Sequence, residues 1–354
     1  MPEATCLKVP KKLGEEAIQL VAELGLFNRK LQIHQTDKSL CIPLTIEPSL
    51  AILNTFKKKL SLFTILVHNF DTREKQHLLP TDFLADKLPP NLLLLVPHAI
   101  DFIGNIAIVE IPKELEDYKT LIGEAILKTH KQTNTVLAKS GAVQGVYRLR
   151  DLELIAGVNK TTTIYKEYGY TYYVDVAKAY FSPRLSSEHN RVASKVNNGE
   201  TVVDLFAGVG PFAIPIVKNN ENVRVYAIDV NPNAVFFLKQ NIAVNRAETQ
   251  IVPILGDARQ VVKNQLSQKA DRVIMNLPET ALEFVDVACE AIKHEGGIIH
   301  YYCFVNTSEP LVTAKDQLVN AVNQSKRQVK FIFAKTVREV APYTWQVVVD
   351  AKIQ

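Results

Sequence analysis

Apolar and polar positions along the chain change rhythm near residue 176. Between 12 and 24, Ala17, Ile18, Leu20, Val21 and Leu24 recur at helical spacing, and 39–46 reads as a strand. A polar stretch, 69–76, reads as a linker. A second unit begins near His77. It has a strand at 106–111, a helix at 118–130, extended chain from Val136 and a hairpin from 161–165 and 170–174. Beyond 176, apolar strand runs alternate with helical runs at 201–205, 224–229, 249–255, 272–275 and 297–302. Five strands separated by helices imply βαβ units and a parallel sheet. The last two runs, 329–334 and 344–351, have no helix-length gap between them and should pair as an antiparallel hairpin at the sheet's end. The expected fold class is α/β: a C-terminal Rossmann-like domain with a terminal antiparallel hairpin, preceded by two smaller α/β or α+β domains. Boundaries fall at 1–70, 75–175 and 176–354.

Composition narrows the class. The chain has 354 residues, which at about 150 per domain suits two or three domains. Hydrophobic residues make up 47% and charged residues 22%, near the globular average, so a wholly disordered, collagen-like or coiled-coil chain is excluded. The longest apolar run, Asn91 to Pro97, is far too short to span a bilayer, and the opening residues do not form a signal peptide. Four cysteines (Cys6, Cys41, Cys289 and Cys303) lie far apart with no CxxC pair, against a zinc ribbon or a disulfide scaffold. The expectation is a cytoplasmic, monomeric protein without membrane or metal. Net charge is +4, which permits a nucleic-acid partner without demanding one. Short basic clusters, Lys57 to Lys59 and Arg148 to Arg150, read first as solvated faces.

The chemistry concentrates after the first strand of the last domain. Asp204-Leu-Phe-Ala-Gly-Val-Gly-Pro-Phe-Ala213 carries the dinucleotide spacing Gly208-x-Gly210-x-x-Ala213, and Asp229 follows at the end of strand two, placed for ribose hydroxyls. NAD and S-adenosylmethionine (SAM) both fit this much. Three features favour SAM. Asp204 is a carboxylate suited to a sulfonium ligand bearing an ammonium group. Asp257, after strand three, can accept from an adenine amino group. The terminal hairpin matches a methyltransferase sheet, not a dehydrogenase sheet. Asp257 could equally be a helix cap. Phe206, in the same loop, is counted with the cofactor site. After strand four, Asn276-Leu-Pro278 sits where strand ends line a ligand crevice and can hold a planar nitrogen substrate.

These runs resemble a known family. Asp175 to Glu188 (DVAKAYFSPRLSSE), DLFAGVGPFAIP at 204–215 and VIMNLP at 273–278 are similar to the archaeal and eukaryal tRNA (guanine(37)-N1)-methyltransferases, class I SAM-dependent enzymes. Asp101-Phe-Ile-Gly-Asn, Tyr147-Arg-Leu-Arg-Asp and Ala341-Pro342 continue the likeness, which covers about 75–354. The resemblance implies methyl transfer from SAM to N1 of guanosine 37 of tRNA. It assigns Glu188 as general base and Arg148 to the charge on O6. Asn276 and Pro278 would hold the base, with Tyr180 beside base and cofactor and Arg184 near the phosphate backbone. Residues 1–70 would then help recognise the tRNA's outer corner. Read by themselves, Glu188 could open a helix, Arg148 could pair with Asp151 or Glu153, Tyr180 could be core, and His300 reads as a satisfied buried histidine. The neighbouring readings are a wybutosine-pathway aminocarboxypropyl transferase, added C7 methylation of a wyosine precursor, and a non-catalytic RNA-binding protein with a relic cofactor fold.

Overall fold

A computed structural model describes residues 2–28, 30–72, 79–145 and 147–354. By contacts the chain divides into two compact units, Met1–Leu78 and Leu79–Gln354. The expected linker at 69–76 and the expected start of the second unit near His77 run into 73–78, outside the described residues.

The first unit is a four-stranded sheet in the order β2-β3-β1-β4 (β1 Glu3–Pro10, β2 His34–Gln35, β3 Ser39–Pro43, β4 Thr64–Asn69) with helices α1 (Gly14–Glu23) and α2 (Leu50–Lys59). Leu7, Val9, Ala17, Val21, Ile42 and Phe56 form its core. Lys57, Lys58 and Lys59 occupy the last turn of α2, where cations complement the helix dipole. Cys6 and Cys41 meet on neighbouring strands as buried free thiols, although 35 residues separate them in sequence.

The second unit opens with short helices α3 (Pro80–Leu84) and α4 (Pro90–Leu93). A four-stranded sheet follows in the order β5-β6-β7-β8 (β5 Ile100–Ile103, β6 Ile106–Val109, β7 Thr135–Gln144, β8 Leu149–Gly157), backed by α5 (Lys119–Thr129). Next comes the hairpin β9–β10 (Thr162–Glu167, Tyr170–Asp175). Helix α6 (Ser186–Ala193) then leads into a seven-stranded sheet in the order β13-β12-β11-β14-β15-β17-β16. Its strands are β11 Thr201–Asp204, β12 Arg224–Asp229, β13 Ile251–Leu255, β14 Arg272–Met275, β15 Gly297–Asn306, β16 Val329–Ala341 and β17 Thr344–Ile353. The first five pair in parallel and β17 pairs antiparallel with both β15 and β16, as the sequence pattern implied. The helices between them are α7 (Ala213–Asn219), α8 (Pro232–Val244), α9 (Ala258–Val261), α10 (Val285–Ala291) and α11 (Pro310–Gln324).

Central β14 is buried at all four positions, as expected of a strand covered on both faces. Helix α8 starts on Asn231, whose side chain accepts from the Asn233 amide, and on Pro232 at the first helical position. From α8, Asn241 and Asn245 bond the backbone of Tyr173 and Thr171. Side-chain amides thus satisfy a strand edge that would otherwise stay open. The strand order reverses direction at β11 and β14, which marks the crevice where ligands of open α/β sheets bind.

Candidate functional site

A cavity of about 210 Å³ opens at that reversal, at the carboxyl ends of the parallel strands. One half is built by the loops after β11, β12 and β13. Phe206, Gly208, Asp229, Val230, Asp257 and Ala258 line it, closed by Phe284. Phe206 and Phe284 meet edge to face at 5.0 Å. Gly208 adopts φ +56°, and a Cβ there would meet nothing closer than 3.7 Å. Its amide donates to Asp229 Oδ2 at 2.7 Å while the Asn231 amide donates to Oδ1 at 2.8 Å. Each carboxylate oxygen is thus oriented by one amide and keeps acceptor capacity for hydroxyl donors. Burial raises the Asp229 pKa, opposed by these amides. Asp257 lines the cavity and also caps α9, accepting from Gln260 N at 3.2 Å, so the cap role that the sequence offered is present.

The other half is lined by Tyr147, Arg148, Tyr180, Leu185, Asn276, Pro278, Glu279, Phe304 and Gln346. Asn276 Oδ1 is buried without a hydrogen-bond partner. Tyr180 is 50% exposed, so it is not core. Arg148 stands at φ +56° and pairs with Glu279, across the cavity from its own loop, instead of with Asp151 or Glu153; Lys119 takes Glu153.

Four of the expected site residues do not line the cavity. Gly210, at φ +94°, faces α8; a Cβ there would stand 2.7 Å from Leu238 Cδ1. Asp204 lies fully buried beneath the glycine loop. Its Oδ1 accepts from Phe206 N at 3.3 Å and its Oδ2 has no partner. Burial, with Asp229 nearby, raises its pKa to about 7. Arg184 pairs with Asp101 through Nε at 2.5 Å. Glu188, in the first turn of α6, is 0% exposed.

Glu188 belongs to a buried network that its sequence neighbourhood did not announce. Oε2 accepts from Tyr302 Oη at 2.8 Å and from Arg191 Nε at 2.9 Å, and Oε1 faces Lys335 Nζ at 2.6 Å. Burial by itself pushes the carboxyl pKa up, but Lys335, Arg191 and Tyr302 outweigh it and hold Glu188 below its usual range. The network continues through Arg191 to Asp350, then to His300 and Arg272. Arginine only donates, so Arg272 makes His300 Nε2 the acceptor, and Nδ1–H donates to Asp350. Burial lowers the His300 pKa, consistent with this neutral ring. His300 is the satisfied buried histidine that the sequence suggested.

Strand register fixes where Glu188 stands. Tyr302, Val348 and Lys335 form one row across β15, β17 and β16, and Phe304, Gln346 and Arg338 form the next row toward the cavity. Phe304 and Gln346 line the cavity. A two-residue step along a strand is roughly 6.6 Å, so the partners of Glu188 lie one step below the cavity floor.

Three family models match: the TRM5/TYW2 methyltransferase domain over 163–331, the TYW2 N-terminal domain over 81–161 and the tRNA methyltransferase 5 N-terminal domain over 6–51. The chain is 36% identical to the tRNA (guanine(37)-N(1))-methyltransferase Trm5b of Pyrococcus abyssi, over 98% of each.

The chain belongs to the TRM5/TYW2 methyltransferase family.

Other TRM5/TYW2 members are similar too. The tRNA 4-demethylwyosine(37)-methyltransferase Taw21 of Saccharolobus solfataricus is 36% identical over 72% of this chain and 93% of its own. The crystal structure of P. abyssi Trm5b superposes with a TM-score of 0.76 at 35% identity, and a complex of aTrm5 with tRNALeu with 0.69 at 33%, each over 99% of both chains. Methanocaldococcus jannaschii TYW2, solved in complex with AdoMet, gives 0.56 at 30% identity over 72% of this chain and 99% of its own.

Proposed function

We propose that this protein is a SAM-dependent tRNA methyltransferase that transfers the methyl group to N1 of guanosine 37. One observation carries the reading: in a TRM5/TYW2 chain, the carboxylate-bearing half around Asp229 and Asp257 and the half around Arg148, Tyr180, Asn276 and Pro278 share one cavity.

The residues present suit SAM. Asp229 keeps free acceptor capacity for ribose hydroxyls, Asp257 can accept from the adenine amino group, and Phe206, Val230, Ala258 and Phe284 supply apolar walls. When bound, SAM supplies an electrophilic methyl group on its sulfonium. Asp204 supports the loop from beneath.

Guanine N1 carries a proton near neutral pH and is a poor nucleophile until that proton leaves. Glu188, held beneath the cavity floor, takes it onto a carboxylate oxygen once its side chain turns up toward the base, which fits a carboxyl held ionised. The target base leaves its stack to enter the cavity, where Tyr180 packs on it and the unpartnered Asn276 Oδ1 accepts from its N–H edge. Deprotonation moves charge onto O6, and Arg148, released from Glu279, meets it there. Glu188 must also leave Lys335, and the 39% exposure of the Lys335 side chain leaves that lysine room to move.

A second reading, methylation of a wyosine precursor at the same position, is favoured by the likeness to Taw21. Mass analysis of nucleosides separates the possibilities. Incubated with SAM and an unmodified tRNA transcript bearing guanosine 37, the protein should yield N1-methylguanosine. A gain of an aminocarboxypropyl group, or transfer only once a wyosine precursor is supplied, would overturn the proposal.

A further inference from the structure

Gln346 lies at the cavity's substrate end with only 1% of its surface exposed. It faces Phe304 on one side in register and Arg338 on the other. Phe304 is tied in turn to Pro278, whose carbonyl accepts from its amide at 3.0 Å. Gln346 therefore stands beside the Asn276–Pro278 corner, on the far side of the strand reversal from Asp229 and Asp257. Its Oε1 accepts from Arg338 Nε at 2.9 Å. An arginine has no acceptor, so the carboxamide cannot be turned the other way round. The oxygen is spoken for, and the nitrogen, with two N–H donors, makes no hydrogen bond to any described residue. Gln346 lines the cavity and its nitrogen is not among the fully buried unpartnered atoms, so these donors are free for solvent or for a ligand there.

We propose that Gln346, oriented by Arg338, donates to guanine O6 and so makes the cavity select a carbonyl over an amino group at that position of the base. The proposal rests on the reading of the cavity as a guanine-methylating site. A carbonyl oxygen has two lone pairs, so O6 can accept from Arg148 and Gln346 together. Asn276 Oδ1, an acceptor, then meets the N–H edge, and the cavity presents donor and acceptor in the order guanine requires. Adenine would place its amino group against two donors. Gln346 would also strengthen its hold as O6 gains charge when N1 loses its proton, so it favours the transition state as well as the substrate.

The test compares wild type, Gln346→Leu and Arg338→Met on three otherwise identical tRNA transcripts, carrying guanosine, 6-thioguanosine or inosine at position 37. Sulfur accepts hydrogen bonds poorly, and inosine keeps O6 but lacks the exocyclic amine. Gln346→Leu should lower kcat/KM on guanosine by roughly ten- to a hundredfold, the worth of one hydrogen bond to a group gaining charge. The 6-thio substitution should then cost this variant much less than it costs wild type, while the inosine penalty stays equal in both. Arg338→Met keeps the glutamine but frees its amide, and should shrink the 6-thio penalty in the same direction. It serves alone if Gln346→Leu fails to fold. A 6-thio penalty as large in both variants as in wild type, or unchanged turnover of guanosine, would overturn the assignment. If wild type itself formed no N1-methylguanosine, the reading beneath it would fall instead, and that is visible in the wild-type arm alone.

Discussion

The central residue is Glu188, and its surroundings set its chemistry. Lys335, Arg191 and Tyr302 keep it ionised despite complete burial. A carboxylate must be ionised to accept a proton, yet a strongly paired one is a weak base. Glu188→Gln should reduce turnover by about 10²- to 10⁴-fold, the usual contribution of a general base, and leave the SAM dissociation constant unchanged in calorimetry. Lys335→Met removes the hydrogen bond that does most to lower the Glu188 pKa. The pKa should rise, so a smaller share of the enzyme carries the carboxylate at mildly acid pH, and the acid limb of the single-turnover rate profile should move to higher pH. An acid limb in the wild-type position would mean that Lys335 does not govern the base. At this scale Asp229 and the Asn276–Pro278 pair stood out because each follows a strand end, whereas Arg148 and Tyr180 were picked out only by the family resemblance. Lys335, Gln346 and the Arg191–Asp350–His300 chain were not legible. They gather only when three strands come into register, and no local spacing records that.

At the level of elements, the parallel strands were readable because buried strands are short continuous apolar runs between helices. The terminal pair was found, but its length was not. β16 runs to Ala341, and β17 begins at Thr344 after a turn of only Pro342 and Tyr343, with Tyr343 at φ +61°. Register shifts near Phe331, Thr336 and Glu339 interrupt the period-two alternation, so 335–343 reads as a loop in sequence. In the first unit, β1, α2 and β4 were missed; Pro10 closes one strand and three lysines close the helix, which blurs both patterns. The glycine loop offers a test of how element geometry supports the site. Gly210→Ala places a Cβ at φ +94° against Leu238, whereas Gly208→Ala meets no near atom at φ +56°. Thermal unfolding should show Gly210→Ala as the more destabilised, by about 1–3 kcal/mol for strain at such a position. Equal loss in both variants would mean that packing against α8 contributes nothing.

For the whole molecule, the three family models place residues 6–51, the region 81–161 and the methyltransferase domain at 163–331 in one chain. Among the described residues no helix is long and apolar enough to cross a membrane. We propose that the first unit and the β5–β8 region grip tRNA while the seven-stranded domain carries the chemistry. Net charge is only +4, so binding must come from local phosphate contacts. Affinity for tRNA should then fall at least tenfold between 50 and 200 mM salt, about the least that several phosphate contacts predict, while SAM affinity barely changes. A salt-independent tRNA affinity would remove phosphate contacts as its main source. The most direct test of the account uses two tRNA transcripts that differ only in carrying guanosine or adenosine at position 37, each with labelled SAM. Label should enter the first alone, as N1-methylguanosine. Label in the adenosine transcript, or in neither, would contradict it.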